Sequence, residues 1–116
     1  MQRDIRSFRW DIQKAADAIR LFVAGLDSQA YSDSDMARSA VERKFEIIGE
    51  ALVHIAKRDP NLASRIPDFR EIIAFRNILV HGYASIEHDR VWRIAQTSLP
   101  GLRAVVDALL AELGSI

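Results

Sequence analysis

The stretch Phe69–Tyr83, F-R-E-I-I-A-F-R-N-I-L-V-H-G-Y, decides how this chain is read. At about 3.6 residues per turn, Phe69, Ile72, Ile73, Arg76 and Val80 fall along one side of a helix. Ala74, Phe75, Ile78 and Leu79 cover most of the remainder. A helix apolar nearly all round belongs between other elements, or between a bundle and a partner, because neither face is left in water without loss. Arg76 is out of place on such a helix. Burying an unpaired guanidinium costs on the order of several kcal/mol, so it is expected to face an anion, a carboxylate or a crevice. Asn77 and His81 stand four apart, a spacing that stacks them and lets the amide orient the imidazole. Arg76 and His81 are five apart and lie on different sides of a regular helix. Gly82 is expected to take the left-handed conformation and let His81 swing toward Arg76. On residue types alone, a plain helix end with a capping glycine, an incidental histidine and a packing tyrosine accounts for the same residues.

Working outward, Ile5, Phe8, Ile12, Ala15, Ala16, Ile19, Phe22, Val23 and Leu26 mark the stripe of a first helix from about residue 4 to residue 25. The following L-D-S-Q-A-Y-S-D-S-D reads as a polar loop, from which Ser32, Asp33 or Ser34 caps a second helix ending near Arg58. That helix has its stripe at Met36, Ala40, Val41, Ile47, Ile48, Ala51, Leu52 and Ile55. The two stripes predict an antiparallel helical hairpin. Gly49, mid-helix, costs about 1 kcal/mol relative to alanine and is expected to permit close approach of another helix. Glu46 and Glu50 share a face, either solvated or neutralising an arginine of the motif helix. His54 reads as a satisfied histidine at the core margin. Pro60 and Pro67 bracket a connection, and Asp68 is placed to support the start of the motif helix. Beyond Tyr83, Ser85 is read as the cap of a last helix, with His88 as a first-turn surface residue and Trp92 in the core or an interface, a base-stacking role being the alternative. Pro100-Gly101 predicts a kink there or two abutting helices.

The composition sets bounds on this reading. The 116 residues imply a single domain over the whole chain, with no cysteine for a disulfide or thiolate metal site. Lys+Arg and Asp+Glu balance at 16 each, which excludes a global basic field, so any nucleic-acid contact must be local. A charged N-terminus without a long apolar run points to a soluble, cytoplasmic protein with no membrane partner. The fold expected is all-α, a four- to five-helix up-and-down bundle with a kinked C-terminal helix. The apolar excess of the motif helix argues for a homodimer or higher oligomer.

Arg76-Asn77, three residues, then His81-Gly82-Tyr83 resembles the signature of the HEPN superfamily, and within it the HepT-like toxin family: Arg, four residues, His, one residue, Tyr. A-V-E-R-K-F-E-I-I-G-E-A-L at Ala40–Leu52 is similar to the helix that precedes this signature in the family, and Val91-Trp92 to the one that follows. The resemblance covers nearly the whole chain. It implies an endoribonuclease acting as a toxin, dimerised so that two motifs face one cleft, with Arg76 and His81 as catalytic residues and Asn77 in support. It also implies a cognate minimal nucleotidyltransferase antitoxin that silences the toxin by adding AMP to Tyr83.

The chemistry suits those residue types. RNA carries its own nucleophile, the 2′-hydroxyl, so a site need only move protons and stabilise charge at phosphorus. His81 can transfer protons near neutrality, and Arg76 can hold the scissile phosphate through two N–H groups. The sequence contains no carboxylate and histidine cluster that would hold a catalytic divalent ion, so neither a metal nor another cofactor is expected. A reading from another class, a non-catalytic helical module with Arg76 and His81 as partner contacts, fits the same residues. For Tyr83 the plain alternative is a packing ring with its hydroxyl at the rim.

Overall fold

The computed structural model describes residues 4–82 and 86–114, and among them every regular element is a helix. In chain order these are α1 (Ser7–Val23), α2 (Ser28–Asp33), α3 (Asp35–Arg58), α4 (Pro60–Ser64), α5 (Phe69–His81), α6 (His88–Thr97) and α7 (Leu99–Ala111). Five longer helices make the bundle, as expected. The two short ones occupy connections that read as loops.

The apolar stripes explain the packing. Phe8, Ile12, Ala15, Ala16, Ile19 and Val23 turn one face of α1 inward against Val41, Phe45, Ile48, Leu52 and Ile55 of α3, the most extensive helix pair in the fold. The start of α1 lies at the end of α3, where Phe8 stacks on His54, so the pair runs antiparallel. On α3 the expected stripe needs one correction. Met36 is 82% exposed, and the inward positions are Ala37, Val41 and Phe45 at four-residue steps, because the register is set by the residues opposite α1 rather than by side-chain size. A further helix, α7, lies against α1 with Arg103 on Asp17 and Gln13 on Asp107.

Capping explains the short helices. Asp27 accepts from the Ala30 N–H and starts α2, which carries Tyr31 into the core. Asp59 accepts from the Leu62 N–H, and Pro60 follows in the first helical position, where its missing N–H costs nothing. Ser34 caps α3 as expected. Asp68 stands at the start of α5 as expected, in the left-handed region at φ 60°, with no side-chain cap bond and with its backbone carbonyl accepting from Ile72. At Ser98 the chain breaks into the abutting α6 and α7, with Pro100 in the first turn of α7, one of the two outcomes its position predicts. Ser85, read as a cap, lies outside the described residues. None of the described helices is long and apolar enough to cross a membrane.

Candidate functional site

The site is built where α5 crosses α3. Gly49 has no side chain to hold α5 away, and Phe45 meets Phe75 edge to face beside it, with ring centroids 5.4 Å apart. Arg76 therefore leaves α5 directly over the glycine. Its side chain is 24% exposed. Nη2 donates to Glu50 Oε2 at 2.5 Å and Nη1 to Asn77 Oδ1 at 2.9 Å, while the Nε–H is enclosed with no partner among the described residues. The carboxylate that the sequence left either solvated or paired is paired. Its companion Glu46 is held by Arg43 within α3.

The other oxygen of Glu50 lies 3.3 Å from His54 Nε2, one turn along α3. The imidazole is half-buried and stacks on Phe8 with 5.2 Å between centroids and 1° between planes. His54 thus lies at the core margin, as the sequence predicts, and it faces the same groove as Arg76. That groove encloses about 680 Å³, and Phe8, Asp11, Ile47, Ala51 and Val80 complete its walls with Glu46, Glu50, His54 and Arg76. Arg43, Lys57 and Arg58 rim it, so a chain of zero net charge gathers four permanent cations around one opening, against three carboxylates. The opening therefore carries a small local excess of positive charge.

Energetics argue that Arg76 is not there for stability. Glu50 is 49% exposed, and a pair so open to solvent contributes about 0–1 kcal/mol. A guanidinium held at the wall of an open groove is able to bind an anion there.

The remaining motif residues are placed differently from the reading above. Asn77 bonds Arg76 rather than His81. His81 is the last residue of α5 and is exposed; no hydrogen bond or ion pair joins it to Arg76 among the described residues. Gly82 is not left-handed. At φ −123° its N–H continues the helical pattern to the Ile78 carbonyl at 2.7 Å, so His81 stays on the helix, about 140° around the axis from Arg76. Tyr83 lies outside the described residues. His88 opens α6 as expected but is half-buried: its Nε2 stands 3.3 Å from Arg38 Nη1, and its Nδ1 is buried without a partner among the described residues. The Trp92 indole donates to the Leu26 carbonyl at 3.0 Å, and the ring packs on the core away from the Arg76 groove. Among the described residues, no three His, Asp or Glu side chains converge as a metal-binding group.

Of these features, the sequence reading missed the place of His54 in the site. The signal available was its spacing of four from Glu50, on the same face of α3.

Comparison with known proteins bears on this geometry. Residues 12–109 match the family described as ribonuclease HepT-like. A Methanocaldococcus jannaschii protein named as a candidate RNase is 31% identical over 91% of this chain and 96% of its own. A protein of Thermococcus cleftensis named probable ribonuclease HepT is 28% identical over 94% of this chain and 98% of its own. A further candidate RNase, from Caldanaerobacter subterraneus, is 27% identical over 78% of this chain and 80% of its own. No solved structure gives a significant match. With a helical bundle built around an Arg-x4-His-x-Tyr segment and a family match that spans nearly all of α1 to α7, the chain belongs to the ribonuclease HepT-like family.

Proposed function

We propose that this protein is an endoribonuclease toxin that cleaves RNA without a metal, at a site formed by Arg76 and His81 with Asn77 in support. The observation that carries this reading is the Arg76 guanidinium, fixed by Glu50 and Asn77 at the wall of a cation-rimmed groove. Family membership and relatives named as ribonucleases support the reaction class. In that reaction the 2′-oxygen forms a bond to phosphorus as the bond from phosphorus to the 5′-oxygen breaks. One proton leaves the 2′-hydroxyl and one arrives at the departing 5′-oxygen, giving a 2′,3′-cyclic phosphate and a 5′-hydroxyl. Arg76 holds the phosphate and stabilises the charge that develops there, and His81 transfers a proton.

A twofold dimer is part of this proposal. Ile78 and Val80 of α5 are 36% and 37% exposed, an apolar surface that a second copy would cover while bringing its own motif to the same cleft. A cognate nucleotidyltransferase would silence the enzyme by joining the Tyr83 oxygen to the α-phosphorus of ATP and releasing pyrophosphate. The added phosphate would then compete with RNA for Arg76.

The test is incubation of purified protein with RNA, with and without chelator, with solution scattering of the same sample. Cleavage that survives chelation, yields cyclic phosphate ends and accompanies a dimer is expected. Intact RNA in every condition would leave the non-catalytic partner-binding module as the reading, and a monomer at high concentration would remove the shared cleft.

A further inference from the structure

We propose that His54 is a second catalytic histidine of this site, the general base that takes the proton of the 2′-hydroxyl, with Glu50 positioning both it and Arg76. The inference rests on the ribonuclease reading above and adds a residue to it.

Three observations carry it. First, His54 Nε2 and Arg76 Nη2 stand 3.3 and 2.5 Å from the two oxygens of one carboxylate, so the imidazole and the phosphate-binding guanidinium flank Glu50 in the same groove. A ribose 2′-hydroxyl is a direct neighbour of the phosphate it attacks, so a group placed this way beside the phosphate anchor is within its reach. Secondly, the ring is fixed. Phe8 covers one of its faces in a parallel stack, and Nε2 stands 3.3 Å from a Glu50 oxygen, a neighbour that favours a proton on Nε2 and leaves Nδ1 to take one up. Thirdly, His81 does not line this groove among the described residues, whereas His54 does. Half-exposed, His54 is open to substrate.

The proton balance is then complete. The 2′-hydroxyl proton passes to Nδ1 of His54 as the bond from the 2′-oxygen to phosphorus forms. The partner's His81, brought to the shared cleft by the twofold dimer proposed above, protonates the 5′-oxygen as its bond to phosphorus breaks. A proton returned to solvent from His54 resets the site. Arg58, which lies over the other partner of the stack, Phe8, at 6.0 Å, and Lys57 beside it supply charge along the same wall for the flanking phosphates.

The test uses a randomised RNA pool, its 2′-deoxy counterpart as a binding probe, and full-length wild type, Arg76→Ala and His54→Gln. In His54→Gln, kcat is expected to fall about 100-fold or more, with affinity for the deoxy pool changed by less than about twofold. The rise of rate with pH through the imidazole range is expected to vanish with it, a change that loss of a wall residue would not produce. In wild type, the His54 ring proton followed by NMR is expected to titrate with the midpoint of that rise, a measurement that stands even where the variant does not fold. An inactive Arg76→Ala beside a folded His54→Gln of wild-type rate and pH profile would overturn the His54 role and leave the ribonuclease site intact, as would a His54 titration that misses the kinetic midpoint. A wild type that cleaves no RNA would overturn both.

Discussion

Gly49 of α3 lies so close to Arg76 of α5 that a Cβ built on the glycine would stand 2.3 Å from the Arg76 Cβ and 2.5 Å from its Cγ. Both atoms sit near the backbone of α5, so they cannot swing aside without the helix. Replacing glycine by alanine gains about 1 kcal/mol of helix propensity, but overpacking of a helix contact costs about 1–3 kcal/mol. The overlap wins. Gly49→Ala is expected to lower the stability measured by urea unfolding by up to about 2 kcal/mol and, by displacing Arg76, to reduce cleavage even where the protein remains folded.

Arg76→Ala and His81→Ala are each expected to leave the bundle folded and to remove RNA cleavage and growth inhibition. Folding should survive because Arg76 lies at the margin of the core, His81 is exposed, and Glu50, left behind by Arg76→Ala, is exposed enough to be hydrated. Arg76→Lys keeps the charge but loses the forked donors, so it should recover only a small part of the rate. Circular dichroism with a cleavage assay on the same preparations checks both halves, and undiminished cleavage by a folded double variant would sink the assignment.

Incubation with ATP and a cognate nucleotidyltransferase is expected to add an adenylyl group to Tyr83. The chain has two tyrosines, and Tyr31 is an unsuitable acceptor: it is wholly buried, its hydroxyl has no partner, and burial pushes its phenol up from its ordinary pKa. Tyr83→Phe should cleave RNA and escape silencing. Mass spectrometry that finds the adduct on Tyr31, or a Tyr83→Phe protein that is still modified and silenced, would contradict this.

Glu42 gives a prediction about pH. Burial beside α6 raises its carboxyl above the ordinary value of 4.5, against the opposing pull of His88 and Arg38 and with the help of Glu46 and Asp35. A carboxyl raised in the folded state contributes stability that is fully present below 4.5 and lost as pH rises through the folded pKa. Glu42→Gln removes the charge that burial penalises. Its melting temperature should exceed that of wild type at neutral pH, and the difference should shrink toward zero near pH 4. A difference independent of pH would show that Glu42 acts through packing alone.

The sequence by itself determined the helical class, the core faces and the chemistry of the motif, because each of these is local. Apolar residues at three- and four-residue steps define faces such as Ile12, Ala16 and Ile19 without reference to any partner. Gly49 announced a close helix contact, since a mid-helix glycine has a cost that only such a contact offsets. The start of α4 was also legible in Asp59-Pro60, though it was read as a plain connection. What only the tertiary structure decided was which residues meet. Glu50 joining Arg76 to His54, across 26 positions on one side and four on the other, depends on how α3 and α5 cross, and no periodicity within either helix contains that crossing. The swing of His81 failed for a related reason. Glycine permits a left-handed turn but does not require one, and at Gly82 the backbone instead completes one more helical hydrogen bond. Side-chain identity sets what a residue can do, and the packing of helices distant in sequence sets what it does it to.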